Sequence, residues 1–232
     1  MIPLKDTIPS KRFPVITIAF IITNILIFLY QQTLPPQELY DFLYRYGTVP
    51  RQLVEGLQMF IATGFQWSLL WPALFPLISA NFLHGGWLHL LGNMLYLWVF
   101  GDNIEGCLGH PGYLIIYLLL GAGSQLLHLL SAPLSPVPLI GASGAIAGIL
   151  GAYLILYPHS RVVTLVPLGF FITLIRIPAV IFLALWFLLQ LANAFTIGMA
   201  PGIQQPVAWW AHIGGFLLGI ALGIRVRKKR YA

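Results

Sequence analysis

The sequence predicts an all-α, polytopic membrane protein with six transmembrane helices. Three observations predict it. Of 232 residues, 59% are hydrophobic and only 8% charged, whereas a soluble domain carries roughly a quarter charged residues. The apolar residues gather into six runs, near 13–31, 86–104, 112–131, 141–157, 178–198 and 207–225, and a crossing helix needs about 20 residues. The basic residues crowd at the two ends, with Lys5, Lys11 and Arg12 before the first run and Arg225, Arg227, Lys228, Lys229 and Arg230 after the last.

Each element follows in order. Residues 1–12 read as a short cytoplasmic N-terminus, 13–225 as one membrane domain, and 226–232 as a basic cytoplasmic tail. The first run, Phe13 to Tyr30, is too long for a signal-peptide core and has no small-x-small site just after it, so an uncleaved first span is expected. An even number of spans puts both termini on one side, and the basic ends say that side is the cytoplasm. Arg161 and Arg176, between spans four and five, fall on the same side; only Arg45 and Arg51 then lie outside. The net charge of +6 is therefore an orientation signal and calls for no nucleic-acid partner. The short termini point to a prokaryotic plasma membrane.

The longest connection, about 32–85, forms an outer loop. Pro36 to Tyr46 reads as a short amphipathic helix, and the Trp-, Phe- and Leu-rich remainder as a segment in the outer interface. No internal repeat is visible, which counts against a transporter built from related halves. Cys107 is the single cysteine, so no internal disulfide can form.

Polar side chains inside spans are costly and need a reason. Span two carries His89 and Asn93, four residues apart and so on one helical face. Span four carries Ser143, and span six His212. All three spans run from outside to inside. His89, Ser143 and His212 lie about three, two and five residues past the outer boundaries, so their depths agree within roughly 5 Å. Packing polars have no reason to share a level. Gly144 and Gly148 follow the serine at i, i+4 spacing, and Gly215, Gly219 and Gly223 have that spacing after His212; such small-residue faces let helices four and six approach closely. Gly141 frees the backbone before the serine.

No Asp or Glu follows Glu105, and Asp102 and Glu105 lie at the far end of span two. A Ser–His–Asp triad is therefore excluded. What remains is a Ser143–His212 dyad, with His212 as general base and then acid. His89, Asn93 and the backbone N–H of Ser143 are left as oxyanion donors. No cofactor is called for. Three ligands from His84, His89 and His212 make a poor metal site, with no carboxylate or thiol on the outer side within the spans and no HExxH spacing. His84, His128 and Gln125 read as structural, His110 and His159 as solvated inner-end residues, and Trp209 and Trp210 as interface anchors.

The motifs GASG around Ser143, HLLGN from His89 to Asn93, and AHIGGFLLG around His212 resemble those of the rhomboid intramembrane serine proteases. The resemblance runs from about Phe13 to Arg225 and includes the motif order, the six spans and the long first outer loop. It implies a Ser–His dyad aided by His89 and Asn93, and transmembrane protein substrates cut near their outer ends. It also implies lateral access near span five, under a cap formed by residues 199–206. Two positions depart from the pattern: no arginine follows Trp71 in LLWPALFPL, where many relatives carry a Trp-Arg pair, and Ala147 stands where some relatives have a tyrosine stacked on the histidine. The competing classes are a transporter or substrate-binding protein on the same scaffold, and a lipid-directed serine esterase that keeps the dyad. The oligomeric state is not legible.

Overall fold

The structure, a computed structural model, describes residues 1–10, 12–168, 171–196 and 208–231. In chain order the elements are β1 (Ile2–Asp6), α1 (Val15–Thr33), α2 (Pro36–Tyr46), α3 (Pro50–Ala62), α4 (Trp67–Leu74), α5 (Pro76–Ser79), a 3-10 turn (Ala80–Phe82), α6 (Trp87–Leu108), α7 (His110–Leu129), α8 (Ser143–Leu156), β2 (Arg161–Leu168), β3 (Phe171–Pro178), α9 (Ala179–Thr196) and α10 (Trp209–Tyr231). All six expected helices are present. By length and composition, α1, α7, α9 and α10 can each cross a membrane. Helices α6 and α8 fall outside that standard, since α6 carries His89, Asn93, Asp102 and Glu105 and α8 has only 14 residues.

Helix α8 is apolar all round, as a central helix must be. Every residue from Gly144 to Tyr153 is buried. Around it lie Leu97, Phe100 and Ile104 of α6, Tyr113 and Tyr117 of α7, and Phe182 of α9. Helix α10 lies backbone to backbone on α8. A Cβ on Gly215 would strike the Gly144 carbonyl, and one on Gly219 the Gly148 carbonyl. The glycine faces read from the sequence thus set this helix pair at its closest approach.

The all-α expectation needs correction. β1, β2 and β3 form an antiparallel sheet in that order, with Ile2 opposite Leu165 and Arg161 opposite Pro178. The sheet takes residues read as an N-terminal tail and an interspan loop. Its cause is local. Val162, Thr164 and Val166 lie opposite Ile177, Ile175 and Thr173 across the hairpin, and β-branched residues favour strands. In so apolar a chain, hydropathy does not separate such strands from helix ends.

Polar bonds hold the sheet to the bundle. Asn103 Nδ2 donates to Asp6 Oδ2 at 2.9 Å, Tyr153 donates its hydroxyl proton to Asp6, and Arg161 N–H reaches Thr7 Oγ1 at 3.0 Å. At the other end, the long loop is tied down beside Ser143. Thr48 and Leu139 exchange backbone hydrogen bonds of 3.0 and 2.8 Å, and Gly141 N–H donates to Ala80 O at 2.8 Å. Gln31 and the His84 backbone exchange another pair, at 3.0 and 3.1 Å. Gln125 acts as the expected buried glue, accepting from Thr48 Oγ1 and donating to Leu77 O at 3.0 Å. His110, expected to be solvated, is partly exposed and also pairs its Nδ1 with Glu105 Oε1 at 2.6 Å.

Candidate active site

Ser143 is the first residue of α8 and His212 lies in the first turn of α10. The close α8–α10 packing brings His212 Nε2 to 2.8 Å from Ser143 Oγ. His89 and Asn93 occupy successive turns of α6. Ser143, His212, His89 and Asn93 all line one cavity of about 790 Å³. The structure therefore brings together the three residues that shared a depth by residue counting, with Asn93 one turn further along α6.

Gly141 shows why glycine precedes the serine. Its φ is +118°, a region that L side chains avoid, and a Cβ there would stand 2.7 Å from both Cε1 and Nε2 of His89. The His89 ring thus presses its Nε2 edge against the backbone leading into Ser143. Its other nitrogen, Nδ1, accepts the Gly85 N–H at 3.4 Å. Asn93 Nδ2 is buried and has no hydrogen-bond partner among the described residues, so its protons remain for a guest in the cavity. Gly144 has a related role: a Cβ there would overlap Ser124 Oγ.

The electrostatics near Ser143 and His212 are muted. Among the described residues, no carboxylate lines the cavity. His84, next to His89 with ring centres 5.0 Å apart, lies in the loop before α6. Burial, with a smaller contribution from His89, pushes its imidazole down to about 3, so it is neutral at ordinary pH. Two tryptophans frame the histidine. Trp186 and Trp209 ring centres lie 6.2 and 6.0 Å from that of His212. Trp209 thus packs on the histidine as well as lying near a helix end.

One residue escaped the sequence reading. Gln190 of α9 places Oε1 at 2.9 Å from His212 Nδ1. The signal was available, because a glutamine in the middle of LWFLLQLAN is as costly in a span as the histidines. Nothing in the spacing, however, aims α9 at α10. The expected cap at 199–206 lies outside the described residues.

A family model described as the Rhomboid domain matches residues 71–229, a stretch that holds α6 to α9, most of α10 and all four polar residues. The chain belongs to the rhomboid family. Among curated relatives, RHOMBOID-like protein 5 of Arabidopsis thaliana is 32% identical over 181 residues, 78% of this chain and 48% of that protein. RHOMBOID-like protein 4 from the same plant is 36% identical over 154 residues, 63% of this chain and 32% of that protein. Rhomboid protease GluP of Bacillus subtilis is 34% identical over 164 residues, 71% of this chain and 27% of that protein. The chain spans less than half the length of these relatives. Family membership and the long apolar helices make this rhomboid an integral membrane protein.

Proposed function

We propose that this rhomboid is an intramembrane serine endopeptidase, with Ser143 as nucleophile and His212 as its general base. The observation that carries the reading is the 2.8 Å Ser143–His212 pair in a cavity at a helix N-terminus. That distance lies within the reach nucleophile activation needs. Likeness to a relative named as a rhomboid protease supports peptide chemistry over lipid chemistry.

His212 Nε2 takes the Ser143 hydroxyl proton as Oγ attacks the substrate carbonyl carbon. The carbonyl π electrons move to oxygen. That oxyanion meets the N–H of Ser143, unpaired because it opens a helix, and the side-chain donors of Asn93 and His89. Each such donor is worth about 10²–10³ in rate. His212 then protonates the leaving amine, and the acyl-enzyme forms. Water, deprotonated by the same imidazole, releases the acyl group and restores Ser143.

The length of α8 supports a route for water to the site. Fourteen residues make α8 only about 21 Å long, against a hydrocarbon core of about 30 Å. A helix so short would start below the surface, and the cavity that Ser143 lines would make up the missing length. Substrates are transmembrane helices, cut near the end at the level of Ser143. They need helix-weakening Gly or Pro near the cut, because a carbonyl inside an intact helix is already hydrogen-bonded. With both termini cytoplasmic and six crossings, that level faces outward.

The test is labelling of the detergent-purified chain with a fluorophosphonate, followed by cleavage of a transmembrane peptide. Wild type should label and cleave, and Ser143→Ala and His212→Ala should do neither. Labelling with ester hydrolysis but no peptide cleavage would favour the lipid esterase. A folded wild type that neither labels nor cleaves would favour a binding protein.

A further inference from the structure

The imidazole of His212 has two nitrogens, and only one faces Ser143. The other, Nδ1, meets Oε1 of Gln190 at 2.9 Å. Gln190 belongs to α9 and is buried. Its own Nε2 donates to Trp186 O, one turn earlier on α9, at 3.3 Å. That second bond sets which end of the amide faces the histidine. Turning the amide over would set Oε1 against the Trp186 carbonyl oxygen, acceptor against acceptor.

We propose that Gln190 is a positioning residue, a neutral third member that holds His212 in the tautomer a base requires. This rests on the Ser143–His212 reading above. An amide oxygen carries no proton, so the imidazole must donate through Nδ1–H. A neutral ring protonated at Nδ1 has its lone pair on Nε2, aimed at Ser143 Oγ. The opposite tautomer would put a lone pair against Oε1 and a proton towards the serine, and so could not accept from it. The bond also fixes ring rotation, which Ala147 is too small to do from the α8 side.

The proton count stays simple. The Ser143 proton moves to His212 Nε2 and later to the leaving nitrogen. The Nδ1 proton stays where it is throughout, and Gln190 gains and loses none. As the ring becomes positive, the Nδ1–H···Oε1 bond becomes charge-assisted and strengthens. The benefit therefore falls on the transition state more than on bound substrate, and belongs in kcat.

The position of Gln190 carries a second consequence. Half of the large side chains on α9 are exposed, including Ile181, Leu185, Leu188, Leu189 and Phe195. Beyond Leu183, its buried residues are Gln190 and Ala194. The glutamine that orients the base thus also helps seat the distal half of α9.

The test compares wild type with Gln190→Leu, similar in size, and Gln190→Glu, which restores an acceptor. The full chain is assayed in proteoliposomes on a transmembrane peptide, and melting temperatures are recorded. Gln190→Leu should lower kcat roughly ten- to a hundredfold, the loss of one charge-assisted bond, with KM within about twofold. Gln190→Glu should recover most of the lost rate. Histidine ¹⁵N spectra, with the His212 signal assigned by its absence in His212→Ala, should show the Nδ1–H form in wild type and loss of that form in Gln190→Leu. Unchanged kcat in Gln190→Leu, or equal losses in both variants with lowered melting temperatures, would overturn the proposal. Failure of the dyad itself would look different: wild type would not cleave, while the ¹⁵N spectra would still report the tautomer.

Discussion

Glu105 of α6 caps helix α1 from the side. Its Oε1 accepts the Ile16 N–H and its Oε2 the Thr17 N–H, both at 2.8 Å, and Thr17 Oγ1 adds a third bond at 2.7 Å. Helix α1 has no capping side chain of its own, since Pro14 stands at its N-cap. A buried carboxylate there satisfies orphan N–H groups and meets the positive end of the helix dipole.

Deleting that carboxylate should therefore loosen the α1–α6 contact. Glu105→Ala is expected to cost about 2–4 kcal/mol, because several buried donors lose their acceptor together. Glu105→Gln keeps one oxygen and should fall between Ala and wild type. Thermal unfolding of the purified chain in detergent measures both. Equal melting temperatures for Ala and wild type would mean that α1 holds its place without the cap.

The glycine seam between α8 and α10 makes a sharper demand. Gly219→Ala would drive a methyl group into the Gly148 carbonyl, and a helix pair cannot yield there without moving apart. The expected cost is about 1–3 kcal/mol. Fluorophosphonate labelling should also slow, since the shift separates His212 from Ser143 although Gly219 lies almost two turns from the histidine. Gly112→Ala on α7 is the control, with Leu108 Cβ at an ordinary 3.6 Å; it should be neutral, or stabilising through better helix propensity. Similar behaviour of the two variants would remove the seam from the account of dyad geometry.

These cases mark what the sequence could tell. Polar residues and glycines in spans stand out because lipid penalises the first and only close packing rewards the second. Ser143, His212, His89 and Asn93 were thus legible one by one, and the common level of the first three followed from counting residues. The sheet was not legible, because Val and Ile in β2 and β3 look like span residues to any hydropathy measure. Glu105 was seen but assigned no task, since its partners on α1 lie some 88 residues away in sequence. Gln190 was missed for a similar reason. A single polar residue in a span says that a partner exists, and only the tertiary arrangement of α9 and α10 says that the partner is His212.

Asp6 offers a pH signature in the sheet region. It accepts from Asn103 Nδ2 at 2.9 Å and from the Tyr153 hydroxyl. Burial outweighs those bonds and raises its carboxyl above the ordinary 3.8. The folded chain thus keeps this proton at a pH where the unfolded chain has released it. The contribution of Asp6 to stability is greatest below about 3.8 and declines as pH rises through the folded-state value. Asp6→Asn removes the titration while keeping an acceptor for Tyr153. The melting-temperature difference, Asp6→Asn minus wild type, should grow from pH 4 to pH 7. A difference that shrinks over that range would reverse the sign assigned to this carboxyl.

Asn93 gives the cleanest separation of chemistry from folding. Its Nδ2 is buried yet unpaired among the described residues, so removing it breaks no bond of the resting protein at that atom. In the proposed reaction it gains a partner only when the substrate carbonyl oxygen becomes negative. Asn93→Ala should accordingly lower kcat by up to about 10²–10³ with little change in KM. Fluorophosphonate labelling should slow as well, because the phosphoryl oxygen would seek the same donors. The melting temperature should stay close to that of wild type. A full-rate Asn93→Ala enzyme would leave His89 and the Ser143 N–H to hold the oxyanion alone, whereas a large fall in melting temperature would assign Asn93 to the fold.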